Sequence, residues 1–175
     1  MSGFAPTLFR GKRFAVVGLG KNGLPAAHAL AAMGAEVVAW DDKPEARVAA
    51  AGLPAGVDIR DPAAQAVFDF DALVLSPGIP HRLPKPHAVA ERAVAAGVKV
   101  LCDVELLFQA VRASGSQARF AGITGTNGKS TTTVMTTAVL QAGGVNATGV
   151  VGARVAAWGG NLSAGGDAVF VVEAD

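Results

Sequence analysis

The feature that most constrains this chain is a glycine-rich turn between an apolar run and a helical segment, at residues 120–133, reading FAGITGTNGKSTTT. Backbone N–H groups converge in such a turn, and the helix that follows adds the positive end of its dipole. A lysine directly before a hydroxyl residue, here Lys129 before Ser130, completes a seat for nucleotide phosphates and their Mg²⁺. The sequence therefore predicts a strand, a phosphate-binding loop and a helix, in that order.

This phosphate loop is a variant of the general pattern G-x-x-x-x-G-K-[ST]. Ile123 stands where the first glycine is expected, and the glycines fall at Gly122 and Gly125 instead. A glycine turn before an ordinary helix would explain the glycines, but not a Gly-Lys-Ser run directly after an apolar strand. We therefore expect a nucleoside triphosphate to bind here.

An earlier glycine turn, GLGKNG at residues 18–23, has similar surroundings. The pattern predicts a buried strand at 14–17, a helix at 24–33 and a second strand at 36–40, which ends in Asp41. A strand, a G-x-G-x-x-G turn, a helix and a strand with a terminal acidic residue together indicate the opening of a nucleotide-binding Rossmann-type unit.

The next stretch continues the alternation of strands and helices. Strands are predicted at 57–59, 71–75 and 98–101, and helices at 44–51, at 86–96 and from Asp103 onward. Ser76, Pro77 and Gly78 force a loop after the strand at 71–75, at the carboxyl end where open α/β sheets bind ligands. We interpret four charged or titratable residues that follow as a solvated loop, although a phosphate could use them: His81, Arg82, Lys85 and His87.

The chain is predicted to contain two α/β domains, a Rossmann-like parallel-sheet domain at 1–112 and the beginning of a phosphate-loop domain at 118–175. The small polar segment 113–117 is interpreted as the linker. Asp103 is a candidate N-cap, and its helix carries one apolar face, formed by Val104, Leu107, Phe108 and Val111.

The second domain is expected to be incomplete, because 58 residues are too few to cover a phosphate-loop sheet on both faces. Its pattern predicts a strand at 119–123, a helix at 129–141 and a strand at 168–172. Glu173 follows the last strand, where it would either bind Mg²⁺ or belong to a frayed chain end. We expect the chain to be a fragment.

Composition narrows the class of protein further. The chain is 51% hydrophobic and carries a net charge of +1, which favours a compact core and offers no overall field for nucleic acid or a membrane. Its one cysteine, Cys102, ends an apolar run and is expected to be buried, so no internal disulfide can form. No stretch is apolar enough to span a membrane and no signal peptide is evident, so a cytoplasmic protein is expected.

The order of the two nucleotide-binding motifs along the chain resembles that of the Mur ligases of bacterial peptidoglycan synthesis. The matching stretches are VVGLGKNGL at 16–24, VVAWDD at 37–42, LVLSPGIP at 73–80, CDVELLF at 102–108 and TGTNGKSTTT at 124–133. The first domain is most similar to members that add D-glutamate to UDP-N-acetylmuramoyl-L-alanine. The resemblance implies an ATP-dependent amide ligase that works through an acyl phosphate, and we expect a monomer.

The resemblance also implies the site residues. The first domain would hold the UDP part of the sugar nucleotide, through Gly18, Gly20, Lys21, Asn22, Gly23, Asp41, Asp42, Lys43, Ser76, Pro77 and Gly78. ATP would bind Gly125, Thr126, Asn127, Gly128, Lys129, Ser130 and Thr131. Lys129 and Glu173 would be the catalytic residues, and Ser130 with Glu173 would bind Mg²⁺. Because further family residues lie outside this sequence, the chain alone is expected to bind UDP-sugar without turnover.

Three alternatives stay open. The ending VVEAD is more similar to the L-alanine-adding Mur ligases, and a late Gly-Gly-Asn run leaves the role of Asn161 unassigned. An NAD-dependent oxidoreductase would use the first glycine turn but leaves the second unexplained. A non-catalytic module that binds UDP-sugars as a sensor or scaffold is the third alternative.

Overall fold

The computed structural model describes residues 4–81 and 85–174, which form two compact units. The first unit runs from Phe4 to Ala110, and the second begins at Val111. Each contains a sheet with parallel strands and connecting helices. This confirms the expected α/β class with a Rossmann-like parallel sheet.

The first unit holds a five-stranded parallel sheet in the order β3-β2-β1-β4-β5. Its strands are β1 Arg13–Val17, β2 Glu36–Trp40, β3 Val57–Ile59, β4 Ala72–Leu75 and β5 Lys99–Leu101. Its helices are α1 Gly23–Ala32, α2 Pro44–Ala49, α3 Ala88–Ala95 and α4 Asp103–Ala113, and the division between the units falls inside α4. Because the chain moves outward from β1 to β3 and returns to β4, the strand order reverses beside β1, where such sheets bind ligands.

Strand β4 and residues 14–17 of β1 are apolar and buried, because helices and loops cover both faces of these central strands. Val16 and Val74 pack with Leu30 of α1 in one core, and Leu73 packs with Val89 of α3 in the other. Each fully buried Leu or Val side chain contributes roughly 1.5–3 kcal/mol. This packing fixes the carboxyl ends of β1 and β4 side by side.

Two expectations about burial were wrong. Helix α4 buries Leu106, Ala110 and Val111, whereas Leu107 and Phe108 are only partly covered. Apolar residues occupy both 106 and 107, so the sequence pattern did not distinguish the buried face. Cys102 is exposed, because the chain leaves the core directly after Leu101 at the end of β5.

The second unit contains a four-stranded sheet in the order β6-β9-β7-β8, in which only the β7 and β8 pair is antiparallel among the described residues. Its elements are β6 Arg119–Ile123, α5 Lys129–Ala142, β7 Thr148–Val155, β8 Gly160–Ser163 and β9 Val169–Glu173. Strands β7 and β8 were not predicted from the sequence. The signal for this hairpin was the Gly159-Gly160 pair at its turn. In the structure Asn161 lies on β8.

Asp71 joins the beginning of β4 to the beginning of β1. Its Oδ1 accepts a 2.8 Å hydrogen bond from Lys12 Nζ, and its Oδ2 accepts a 2.9 Å bond from the backbone N–H of Arg13. The bond from Lys12 and, next, the bond from Arg13 hold the pKa of the Asp71 carboxyl below its ordinary value of 3.8.

A lowered folded-state pKa gives a stability contribution that is present above pH 3.8 and is lost as pH falls through the folded value. We therefore expect Asp71→Asn to destabilise the protein near pH 7 and to lose this effect below pH 3.8. Urea unfolding across this pH range measures the difference. Asp167→Asn, at an exposed position, is the control, and an effect of Asp71→Asn that does not change with pH would contradict the assignment.

Candidate nucleotide-binding sites

The three segments predicted for UDP-sugar binding meet at one edge of the first sheet. They follow β1, β2 and β4, which are neighbouring parallel strands. The backbone joins them directly, because Gly18 N–H donates to the Trp40 carbonyl at 2.8 Å and Ser76 N–H donates to the Val17 carbonyl at 3.0 Å. The residues that the sequence placed far apart therefore lie together at the reversal of strand order.

Asp41 fastens the first glycine turn to the end of β2. Its Oδ2 accepts a 2.7 Å hydrogen bond from Leu19 N–H, and its Oδ1 accepts a 2.9 Å bond from Lys43 N–H. An ionised carboxylate offers about four lone-pair positions. Asp41 can therefore hold the loop and still accept a hydroxyl group, which is the ligand role expected from the sequence.

Ser76 and Gly23 close the other side of the turn. Ser76 Oγ donates to the Gly18 carbonyl oxygen at 2.6 Å. A Cβ added at Gly23 would lie 1.7 Å from that same oxygen, so only glycine lets the start of α1 approach the turn. Pro77 and Gly78 follow Ser76 in an exposed turn.

His87 is not part of a solvated loop, contrary to expectation. Its Nδ1 accepts a hydrogen bond from Val89 N–H at the start of α3, so its other nitrogen, Nε2, carries the hydrogen that faces Asp42 Oδ2 at 3.0 Å. The His87 hydrogen bond is the largest cause that lowers the pKa of Asp42, and burial opposes it. His81 and Lys85 are exposed as expected, and Arg82 lies outside the described residues.

The N-terminus of α1 is open to an anion. Its first turn contains no acidic residue, and its N-cap residue, Asn22, makes no capping hydrogen bond with its side chain. Lys21 is exposed beside it and forms no ion pair with any residue in 4–81 or 85–174. By contrast, α3 has a histidine cap and Glu91 in its first turn. The positive end of the α1 dipole is therefore available to a diphosphate.

The second glycine turn forms a cavity of about 220 Å³ at the start of α5. The cavity is lined by Thr126, Asn127, Gly128, Lys129, Ser130, Thr131 and Glu173. Gly128 is the N-cap with φ of +81°, a conformation that favours glycine, and α5 has neither a side-chain cap nor an acidic residue in its first turn. Lys129 Nζ donates to the Gly125 carbonyl at 3.0 Å, so its ammonium folds back over the loop.

The two candidate Mg²⁺ ligands contact each other. Ser130 Oγ donates to Glu173 Oε2 at 2.8 Å, and Gly152 N–H donates to the same oxygen at 2.9 Å. Glu173 ends β9 and pairs with Ile123 of β6, so it belongs to the sheet and not to a frayed end. Sequence reasoning missed Gly152 because it missed β7.

The Ser130 hydroxyl and the Glu173 carboxylate offer oxygen atoms, the ligands that Mg²⁺ prefers. Their 2.8 Å separation is the length of the hydrogen bond that joins them. No group of three His, Cys, Asp or Glu residues that could hold a metal occurs within the described part of the chain. A magnesium ion bound with nucleotide needs only one or two protein oxygens, since phosphates and waters supply the others.

The fold and these loops define an α/β protein with two phosphate-binding turns, each at the junction of a strand and a helix. The family model for the N-terminal domain of MurD-like Mur ligases matches residues 12–102, more than half of the chain. The chain therefore belongs to the MurD-like Mur ligase family.

Curated relatives match beyond that domain. The chain is 52% identical over 134 residues to the UDP-N-acetylmuramoylalanine–D-glutamate ligase of Paramagnetospirillum magneticum, covering 77% of this chain and 28% of that protein. It is 44% identical over 175 residues to the ligase of the same name from Caulobacter vibrioides, covering 94% and 35%. The chain thus spans about a third of the length of the curated relatives it matches.

Among solved structures, the chain is similar to the crystal structure of a UDP-N-acetylmuramate-alanine ligase from Thermotoga maritima. The TM-score is 0.49 at 20% identity, covering 92% of this chain and 37% of the other. Within residues 4–81 and 85–174, no helix is long and apolar enough to cross a membrane.

Proposed function

We propose that this chain forms the UDP-sugar-binding domain and the opening of the ATP-binding domain of a cytoplasmic ligase in peptidoglycan precursor synthesis. The ligase adds D-glutamate to UDP-N-acetylmuramoyl-L-alanine with hydrolysis of ATP. Family membership and the names of the relatives at 52% and 44% identity support this reaction. The observation that carries the proposal is the pair of uncapped helix N-termini, since each follows a glycine turn and has no acidic residue in its first turn.

In the first unit, the diphosphate of the sugar nucleotide binds at the start of α1. The N–H groups of 20–23 and the exposed ammonium of Lys21 supply positive charge. Asp41 and Asp42 accept hydroxyl or N–H groups of the uridine from the end of β2, and Lys43, whose ammonium can only donate, adds positive charge there. The turn at 76–78 closes the site on the β4 side, where Ser76 already supports Gly18.

In the second unit, the triphosphate of ATP binds in the cavity formed by 125–131. The loop N–H groups and the Lys129 ammonium stabilise the negative charge that increases on the phosphate oxygens in phosphoryl transfer, and they do so without covalent chemistry. Ser130 and Glu173 would hold Mg²⁺, which supplies further neutralisation of phosphate charge when bound. Lys129 and Glu173 are therefore the residues to which we assign catalytic roles.

Calorimetric titration of the 175-residue chain tests the first site. UDP-N-acetylmuramoyl-L-alanine is expected to bind, NADH is expected not to bind, and Lys21→Ala is expected to weaken the sugar nucleotide by about three- to tenfold through loss of one charge-assisted contact. Lys99→Ala, which changes an exposed lysine at the amino end of β5 in the same unit, is the matched control. Binding of NADH without any response to the UDP compound would favour an oxidoreductase instead.

Phosphate release tests the complete reaction. This chain can replace the corresponding part of the Caulobacter vibrioides ligase, because the match covers 94% of this chain. We expect that protein to release phosphate from ATP with UDP-N-acetylmuramoyl-L-alanine and D-glutamate. Release with L-alanine and UDP-N-acetylmuramate in place of these substrates would assign the chain to the other branch of the family.

A further inference from the structure

The side chain of Asn22 is held by a residue far away in sequence. Asn22 Nδ2 donates a short hydrogen bond to Asp103 Oδ2, across 81 positions. The other oxygen, Asp103 Oδ1, accepts a 3.0 Å bond from Val104 N–H at the start of α4. Both oxygens of Asp103 are therefore engaged, and its carboxylate is fixed in orientation between α4 and the first glycine turn.

This contact determines which atom of the Asn22 amide remains available. An ionised carboxylate can only accept hydrogen bonds, so the NH₂ group of Asn22 must face Asp103. The carbonyl oxygen, Oδ1, then lies on the side of the amide away from Asp103. No donor from residues 4–81 or 85–174 reaches that oxygen, although Asn22 is partly buried.

We propose that Asp103 is a positioning residue, which holds Asn22 so that Oδ1 is presented to a hydrogen-bond donor of the bound ligand. A phosphate oxygen without a hydrogen cannot bond to this acceptor, so the donor is a sugar hydroxyl or an N–H group of the nucleotide. The same contact keeps the Asn22 side chain from capping α1, which leaves the helix N–H groups to the diphosphate. This inference rests on the proposed binding of a UDP-sugar.

A purely structural role of Asp103 makes a different prediction. If Asp103 served only to stabilise the start of α4, its bond with Val104 N–H would suffice and the effect of Asn22 on ligand affinity would not depend on Asp103. If it acts through Asn22, the two side chains must be energetically coupled in ligand binding. A double-mutant cycle separates the two cases.

The experiment measures the dissociation constant of UDP-N-acetylmuramoyl-L-alanine for the 175-residue chain, with thermal unfolding as a folding control. Asp103→Asn preserves shape but lets the Asn22 amide turn over, and we expect affinity to fall about three- to tenfold, as for loss of one hydrogen bond. Asn22→Ala should have a similar effect, and adding Asp103→Asn to it should have none. Asp61→Asn is the matched control, because Asp61 also accepts from a backbone N–H, that of Ala63, at 2.8 Å.

A second measurement needs only the unaltered protein. The side-chain NH₂ resonances of Asn22 in a ¹⁵N spectrum should shift on addition of the UDP-sugar, while their protection from solvent exchange by Asp103 persists. Unchanged affinity of Asp103→Asn, additive effects in the double variant, or Asn22 resonances that do not respond to bound ligand would each overturn the inference alone. Failure of the unaltered chain to bind any UDP compound would overturn the proposed function together with it.

Discussion

Gly23→Ala is expected to destabilise the first unit by about 4 kcal/mol, at the upper end of single-residue effects. The new methyl group would lie 1.7 Å from the Gly18 carbonyl oxygen, which is backbone and is itself held by Ser76. Intrinsic helix propensity acts in the opposite direction, because alanine is favoured over glycine by about 1 kcal/mol inside a helix. A large loss therefore reports the close approach of α1 to the turn.

Urea unfolding followed by circular dichroism measures this loss. Gly20→Ala is the matched control from the same turn, since a Cβ there would meet nothing within 4 Å and its φ is not in the left-handed region. We expect this control to change the free energy of unfolding by less than about 1 kcal/mol. Equal effects of the two substitutions would show that the close approach at Gly23 does not limit stability.

Lys129→Ala is expected to reduce the turnover number of a ligase carrying this chain by about 10²–10³-fold, the cost of removing one preorganised group that stabilises transition-state charge. The lysine lines the 220 Å³ cavity with the loop N–H groups and already bonds the Gly125 carbonyl. Steady-state phosphate release by the Caulobacter chimera provides the measurement.

Two further variants test whether the loss of turnover is due to the charge and the position of Lys129. Lys129→Arg keeps the charge but changes the shape of the cation, and we expect it to recover part of the activity. Lys99→Ala, at an exposed lysine on β5, should leave turnover unchanged. Full activity of Lys129→Ala would remove the phosphate loop from the proposed mechanism.

Local patterns predicted the elements around both glycine turns. The bounds predicted for β2, β3 and β6 are those of the structure, because short apolar runs between glycine and polar residues leave little freedom. The hairpin of β7 and β8 was missed although Gly159-Gly160 marks its turn. Glycine and alanine dilute its strand pattern, and β7 is fixed by pairing with β9, which a local pattern does not show.

The sequence indicated which loops carry the candidate sites, but not how their side chains are held. Asp41 reaches Leu19 across 22 positions, His87 reaches Asp42 across 45, and Asp103 reaches Asn22 across 81. Contacts of this kind depend on which strands are neighbours, so spacing along the chain does not reveal them. The fold brings Asp41 and Asp103, which are distant in sequence, into hydrogen bonds that hold the first glycine turn.

The hydrogen bond between Ser130 and Glu173 also affects how a metal enters. While the hydroxyl hydrogen lies between the two oxygens, Glu173 Oε2 already serves two donors, Ser130 and Gly152. A cation that binds both side chains must break the hydrogen bond between them, which costs roughly 1.5–3 kcal/mol because the acceptor is charged. Free Mg²⁺ is therefore expected to bind weakly to Ser130 and Glu173. We expect the ion to bind together with the nucleotide, whose phosphates already coordinate it.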